Sequence, residues 1–176
     1  MEIKIRKETI EDKEIIYKVV KEAFESAEHS DGEEQNLVNK LRNSESYIEE
    51  LSLVAVIDEK IIGHVMFTKG IIEDEDNRYE SLGLAPLAIL PEYQNKGIGS
   101  KLVEEGLRKS KELGYNSCIV LGSEKYYPRF GFKEAIKFGL KSPFEVPSEN
   151  FMAIELKENA LKDAKGTFIY AKEFFE

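Results

Sequence analysis

Apolar and polar residues along the chain repeat with periods that separate strands from helices. Residues 2–7 alternate polar and apolar residues, with Ile3 and Ile5 on one side, which predicts a strand with one buried face. Apolar residues at helical spacing predict an amphipathic helix over 11–28, with Thr9 as a possible cap, and a shorter helix over 33–42. The first third of the chain is therefore expected to be one strand followed by two helices.

Strand and helix patterns alternate through the rest of the chain. The turn 58–60 lies between two apolar runs, which predicts a β-hairpin. Gly114 ends the pattern of a longer helix, and helical turns are also expected at 124–130. The predicted strands cover 51–57, 61–72, 81–90, 118–121, 151–156 and 167–170, and the predicted helix covers 97–113.

The strand–helix–strand unit at the centre predicts a parallel strand pair with a right-handed crossover. The hairpin predicts antiparallel neighbours. We therefore expect an α/β fold, with a mixed, mostly antiparallel central sheet and helices on both faces, as a single domain over residues 1–176.

Composition narrows the class of protein. The formal net charge of −9 argues against a general nucleic-acid partner, which needs a basic face. No apolar stretch reaches the roughly 18 residues of a membrane span, and the start has no apolar leader, so the expectation is a cytoplasmic protein with no membrane partner. The single cysteine, Cys118, excludes an internal disulfide and a multi-cysteine zinc site, and no metal is expected.

Two glycines, Gly97 and Gly99, flank the start of the predicted helix that follows Pro91. The first N–H groups of a helix have no partner within it, so such a turn can hold a diphosphate, and Lys96 could add a charged contact. The turn is neither a Walker loop nor a full dinucleotide fingerprint, because Leu102 stands where a third glycine is needed. On the glycines alone, a merely relaxed helix start explains the pattern equally well.

Beyond the glycines, the string 87–100 contains the pattern Gln-x-x-Gly-x-Gly after Leu-Ala-Ile-x-Pro. It resembles the acetyl-CoA-binding signature of the GNAT N-acetyltransferase superfamily. The string 127–132 follows strand 118–121 and resembles the Tyr-x-x-x-Gly-Phe motif that the superfamily carries there. Together with the tail 143–156, these strings are similar to the YhbS-type branch of the superfamily, and the likeness covers essentially the whole chain.

The resemblance implies acetyl-CoA as co-substrate and no metal. It implies that the parallel strands splay apart and that the cofactor fills the opening, with its pantetheine arm on the main chain of 87–89 and its diphosphate on the turn 95–100. The implied cofactor-binding residues are Leu87, Ala88, Ile89, Gln94, Asn95, Lys96, Gly97, Ile98, Gly99 and Ser100. Two departures are Asn95, where glycine is common, and Gly122-Ser123-Glu124, where many members carry a cofactor-contacting asparagine.

The resemblance also implies a catalytic role for Tyr127, as a general acid that protonates the departing CoA thiolate. The alternatives are a core tyrosine, or Tyr126 in its place. Glu34, Glu80, Glu155 and His64 are candidates for the general base, although each is more often a solvated or structurally satisfied group.

The expected function is acetyl-CoA-dependent transfer of an acetyl group directly to an amine, on a small molecule or a protein. The acceptor groove is expected between residues 24–38 and 143–155. An alternative is an acyl-CoA-binding sensor or partner module with little transfer activity, and a third possibility is a donor with a longer acyl chain or an acyl carrier protein. The oligomeric state stays open, with a homodimer among the options.

Overall fold

A computed structural model describes residues 2–176, in which nine strands form one sheet. The strands are β1 (Lys4–Lys7), β2 (Tyr47–Ile57), β3 (Lys60–Glu73), β4 (Arg78–Ile89), β5 (Ser117–Leu121), β6 (Lys133–Glu134), β7 (Leu140–Lys141), β8 (Phe151–Glu155) and β9 (Gly166–Ile169). The α-helices are α1 (Lys13–Phe24), α2 (Glu34–Arg42) and α3 (Ile98–Glu112). Within residues 2–176, no helix combines the length and apolar character that crossing a bilayer requires.

The sheet runs in the order β1-β2-β3-β4-β5-β8-β6, and β9 pairs with β3 and with β7. The central pair β4 and β5 is parallel, whereas β1 to β4, β5 with β8, and β8 with β6 are antiparallel. Helix α3 connects the parallel pair. This topology confirms the predicted mixed α/β fold.

Strands β4 and β5 stay together over a short distance only. Their register joins Leu82 to Cys118 and Gly83 to Ile119, and no later pair follows among the described residues. Just beyond, β4 has an irregularity opposite β3 that includes Pro86, which has no N–H to donate. The two strands therefore separate towards their carboxyl ends, as the resemblance implied.

Helices α1 and α3 cover opposite faces of the sheet, and α2 packs on α1. Close packing of α3 depends on small residues. A Cβ at Gly106 would collide with the Phe67 ring, and one at Gly63 would lie 3.3 Å from Leu102 of the helix. The buried residues of α3, such as Leu102 and Val103, all belong to the face at the predicted 3.6-residue period.

Several predicted boundaries were wrong. Helix α1 ends at Phe24, four residues before the expected 28, and a single 3₁₀ turn precedes it at 10–12. Residues 124–130 form a 3₁₀ turn only over Tyr127–Phe130. The two-residue strands β6 and β7 were not predicted at all, because two residues carry no periodic signal.

Four buried polar side chains join separate elements near the first strand: Glu8, Arg42, Ser52 and His64. Arg42 Nε donates to Glu8 Oε2 at 2.8 Å, the Ser52 hydroxyl also donates to Glu8, and His64 Nε2 lies 3.0 Å from that hydroxyl. Burial alone would raise the pKa of the Glu8 carboxyl, but the nearby His64 ring, with Nε2 3.6 Å from Oε1, and the hydrogen bonds from Arg42 and Ser52 outweigh burial and hold the pKa at about 2. The cluster ties β1, α2, β2 and β3 together.

We expect Glu8→Gln to lower the free energy of unfolding at pH 7 by about 3–5 kcal/mol, because it leaves the buried Arg42 guanidinium without its counter-charge. The ordinary pKa of the carboxyl is 4.5, and in the folded chain it is about 2, so its contribution is complete above pH 4.5 and is lost as the pH falls towards 2. Urea unfolding at pH 7 and pH 3 measures the deficit, which should shrink at pH 3.

The matched control is Glu49→Gln, because the Glu49 carboxylate pairs with Lys7 on the surface at 3.2 Å. Exposed pairs contribute about 0–1 kcal/mol, so this variant should unfold almost like the parent chain at both pH values. Equal deficits for the two variants would contradict the role of the buried cluster.

Candidate functional site

The opening between β4 and β5 leads into a cleft of about 690 Å³ at the start of α3. Three segments form its walls: the end of β4, the turn into α3, and the segment after β5. The lining residues are Leu87, Ile89, Tyr93, Gln94, Asn95, Gly97, Ile98, Gly99, Ser100, Gly122, Ser123, Tyr126, Tyr127 and Arg129.

The turn into α3 presents main-chain donors to the cleft. The first intrahelical bond runs from the Lys101 N–H to the Gly97 carbonyl at 3.2 Å, so the amides of 98–100 have no acceptor within the helix. Gly97 has a φ of +80°, and a Cβ there would meet no atom within 4 Å. Free amides at the positive end of the helix dipole form a suitable site for an anion.

Asn95 also adopts a left-handed backbone, with a φ of +62°. Asparagine tolerates this region better than most residues other than glycine. This explains how an asparagine can stand at a position where the resembled signature commonly has glycine.

Tyr126 connects the two walls of the cleft. Its hydroxyl lies 3.0 Å from the Ser100 hydroxyl in the first turn of α3. The Arg129 guanidinium lies 4.4 Å from the centre of the Tyr126 ring, and Arg129 Nε donates to the Tyr126 carbonyl at 2.8 Å. Tyr126 therefore faces the helix start, and the nearby cation supplies positive charge to the same end of the cleft.

Tyr127 points in another direction and packs on the end of β5. A Cβ at Gly122 would collide with the Tyr127 ring, and Phe132 packs edge-on against that ring with 5.8 Å between centroids. Burial raises the pKa of the Tyr127 phenol, and the neighbouring Tyr126 and Cys118 add to the rise. The phenol therefore keeps its proton throughout the neutral range.

A sequence model of the acetyltransferase (GNAT) family matches residues 14–132, which include the turn into α3 and both tyrosines. The chain belongs to the GNAT acetyltransferase family. It is 34% identical to the uncharacterised N-acetyltransferase YhbS of Escherichia coli K12 over 80% of this chain and 83% of that protein. It is 37% identical to YjhQ of the same strain over 66% of this chain, but this match spans only 65% of YjhQ, just under two thirds of its length.

Solved GNAT structures agree over nearly the whole chain. YhbS from Escherichia coli, in complex with CoA, superposes with a TM-score of 0.88 at 31% identity and covers 99% of this chain and 92% of that one. A GNAT acetyltransferase from Brucella melitensis, in complex with acetyl-CoA, gives a TM-score of 0.81 at 31% identity and 98% coverage of both chains.

Most of the residues predicted from the GNAT signature line the cleft, but Ala88 and Lys96 do not. The Ala88 side chain is buried, although its predicted role belongs to the main chain. The Lys96 ammonium lies 5.8 Å from the centre of the Tyr93 ring. Gln94 Nε2 donates to the Ile89 carbonyl at 3.0 Å and so occupies one main-chain acceptor of β4.

Sequence reasoning missed Tyr93 and Arg129 as lining residues of the GNAT cleft, and it named Gly122 and Ser123 only as a departure from the signature. The available signal was position, because Tyr93 directly precedes the Gln-x-x-Gly-x-Gly motif and Arg129 stands inside Tyr-x-x-x-Gly-Phe. The positive charge of Arg129, inside a motif that is expected close to the anionic acetyl-CoA, was a second signal.

The candidate bases lie outside this cleft. Glu34 accepts a hydrogen bond from the Ser30 hydroxyl at 2.7 Å, and Glu155 accepts one from the Leu161 amide at 2.9 Å. His64 is fully buried beside Ser52 and Glu8, and burial lowers its pKa. Cys118 is also buried, and burial raises the pKa of its thiol, which disfavours the reactive thiolate.

We expect Gly122→Ala to destabilise the fold by about 1–3 kcal/mol, because the added methyl group needs the space that the Tyr127 ring fills. In a Tyr127→Ala background the same change should cost almost nothing. Urea unfolding of the four chains forms a double-mutant cycle that isolates the contact. Gly83→Ala is the control, since its Cβ would meet atoms no closer than 3.6 Å and the variant should stay stable. If the effects of the changes at 122 and 127 on the free energy of unfolding were additive, the contact would be refuted.

Proposed function

We propose that this protein is an acetyl-CoA-dependent N-acetyltransferase that moves the acetyl group directly to an amine. The main observation behind the proposal is that one cleft contains both the part of β4 that no longer pairs with β5 and the free amides at the start of α3. Acetyl-CoA has a peptide-like arm that can pair with a strand edge and a diphosphate that suits a helix start. The CoA and acetyl-CoA complexes of the two similar GNAT proteins support the same ligand here.

The residues proposed to hold acetyl-CoA divide between its two ends. The amides of 98–100, aided by Asn95 and Gly97 in left-handed conformations, take the diphosphate. The main chain of 87–89, on the side where β5 has departed, takes the pantetheine arm. The positive charge of the Arg129 guanidinium attracts the diphosphate end of acetyl-CoA, and the hydrogen bond to the Tyr126 carbonyl holds that guanidinium in place.

Tyr127 is proposed to deliver the proton that the leaving group needs. In the reaction, the neutral amine nitrogen bonds to the thioester carbonyl carbon, the carbon–sulfur bond breaks, and the sulfur takes the phenol proton. The proton lost by the amine passes to solvent, from which the phenolate is reprotonated. Tyr127 is among the residues that line the cleft, while the Tyr126 hydroxyl is engaged with Ser100, which favours Tyr127 for this role.

For cofactor binding, we expect Gly97→Val to weaken CoA binding by tenfold or more, because its side chain would project into the cleft. Gly114→Val is a matched control at the other end of α3, with a φ of +92° and likewise no atom within 4 Å of a Cβ. Both variants strain a left-handed glycine, but only one stands at the proposed diphosphate site. Calorimetric titration with CoA decides, and equal affinities in the two folded variants would remove this site.

For the chemistry, we expect Tyr127→Phe to reduce kcat about 100- to 10,000-fold while leaving acetyl-CoA affinity almost unchanged. Tyr126→Phe should cost much less in kcat, since it removes only the bond to Ser100. Thiol release with a panel of amines measures both. A wild-type rate for Tyr127→Phe, with chemistry rate-limiting, would show that the proton comes from elsewhere, and no release with any amine would favour an acyl-CoA-binding module.

A further inference from the structure

The C-terminal segment brings together a group of rings, here called the C-terminal aromatic cluster: Phe144, Phe168, Tyr170, Phe174 and Phe175. Tyr170 lies at its centre, stacked on Phe144 at 5.5 Å and edge-on to Phe168 at 4.8 Å between ring centroids. Phe174 and Phe175 complete the contacts around Tyr170 at 5.2 and 6.4 Å. The whole cluster lies beyond residue 132, where the family match ends.

The cluster begins where the central strands separate. Gly83 is the last residue of β4 that pairs with β5, and a Cβ on it would lie 3.6 Å from Phe168 and 3.9 Å from Tyr170. Burial raises the pKa of the Tyr170 phenol, and the Cys118 thiol on β5 adds to the rise, as it does for Tyr127. Tyr127 packs against Gly122, directly after β5, and Tyr170 lies at Gly83, the last residue of β4 that pairs with β5.

Part of the cluster is available to a ligand. Phe144 is 41% exposed and Phe175 is 58% exposed, and these two rings lie 6.0 Å apart beside Tyr170. Adjacent exposed rings offer an apolar surface on which the apolar group of a ligand can be removed from water. Phe144 comes from the loop 142–150 and Phe174 packs near α2, so the cluster connects the two segments expected to flank the acceptor.

Charge beside the cluster selects the kind of ligand. A cavity of about 460 Å³ adjoins Phe174 and is rich in carboxylates, with Asp31, Glu33, Glu34, Glu173 and Glu176 among its lining residues. The lysine that also lines it, Lys40, donates to the Glu176 carbonyl at 3.0 Å. Negative charge next to aromatic faces favours a protonated amine, and the rings favour an apolar body attached to it.

We propose that the C-terminal aromatic cluster binds the apolar part of the acceptor, so that the acceptor is a small primary amine carrying an aromatic or branched apolar group. This inference rests on the proposed acetyltransferase function. The exposed rings of Phe144 and Phe175 hold the apolar group, Tyr170 connects them to Gly83 at the closed end of the strand opening, and the carboxylates attract the ammonium group before it loses its proton. A long polyamine offers these rings ammonium groups but no apolar group, and a lysine side chain offers only its methylene stem.

The test measures amine binding apart from turnover. Calorimetric titration of the full chain compares 2-phenylethylamine with ethanolamine and spermidine, and acetyl-CoA affinity is measured alongside. We expect 2-phenylethylamine to bind most tightly, and Phe144→Ala and Phe175→Ala each to weaken it about 3- to 10-fold, the loss of roughly one aromatic contact. Both substituted rings are exposed, so the fold should persist. Ile10→Ala, at a side chain 72% exposed on another part of the surface, is the control and should change nothing.

Three results have distinct meanings. Preferred binding of 2-phenylethylamine that both phenylalanine variants weaken, with acetyl-CoA affinity unchanged, supports the inference. Equal or tighter binding of ethanolamine or spermidine, or variants that bind 2-phenylethylamine like the parent chain, overturns it. If the amine binds as expected but thiol release never follows, the transferase proposal fails while the amine site stands.

Discussion

The separation of β4 from β5 is the constraint on which the site depends. Only the pairs Leu82–Cys118 and Gly83–Ile119 join these central strands, and beyond them β4 keeps β3 as its neighbour on one side only. A strand in the middle of a sheet normally satisfies its main-chain groups on both sides, so the unpaired stretch needs another partner or water. The opening positions the cofactor cleft, and the aromatic cluster begins at its closed end.

Local patterns predicted most of the fold. The period of apolar residues gave the three helices and the long strands, and Gly97 and Gly114 marked both ends of α3 to within a residue. The order of strand, helix and strand then implied the parallel pair. Many residues that line the cleft at the start of α3 were also predictable as neighbours, because the turn that carries them is contiguous in sequence and needs its unusual backbone at Asn95 and Gly97.

Features assembled from distant segments were not predictable. The buried cluster joins Glu8 to Arg42, Ser52 and His64, and nothing near Glu8 in the sequence distinguishes it from the many exposed glutamates. The aromatic cluster likewise needs Phe144 to meet Tyr170, which lies 26 positions later in the chain. The predicted end of α1 was too late because the apolar period stops at Phe24, and the exposed residues 25–28 offer no apolar face that packing could hold in a helix. The turn at 127–130 is shorter than predicted, and its bounds come from its local backbone rather than from an apolar period.

The contact between Gly122 and Tyr127 has a consequence for how such chains can diverge. The Tyr127 ring occupies the volume that any side chain at 122 would need, and Phe132 packs edge-on against the same ring. A descendant that acquires an asparagine at the end of β5 must therefore move the tyrosine in the same lineage or accept a less stable protein. The dependence runs one way: replacement of the tyrosine leaves glycine at 122 acceptable, whereas a side chain gained at 122 favours a later change at 127.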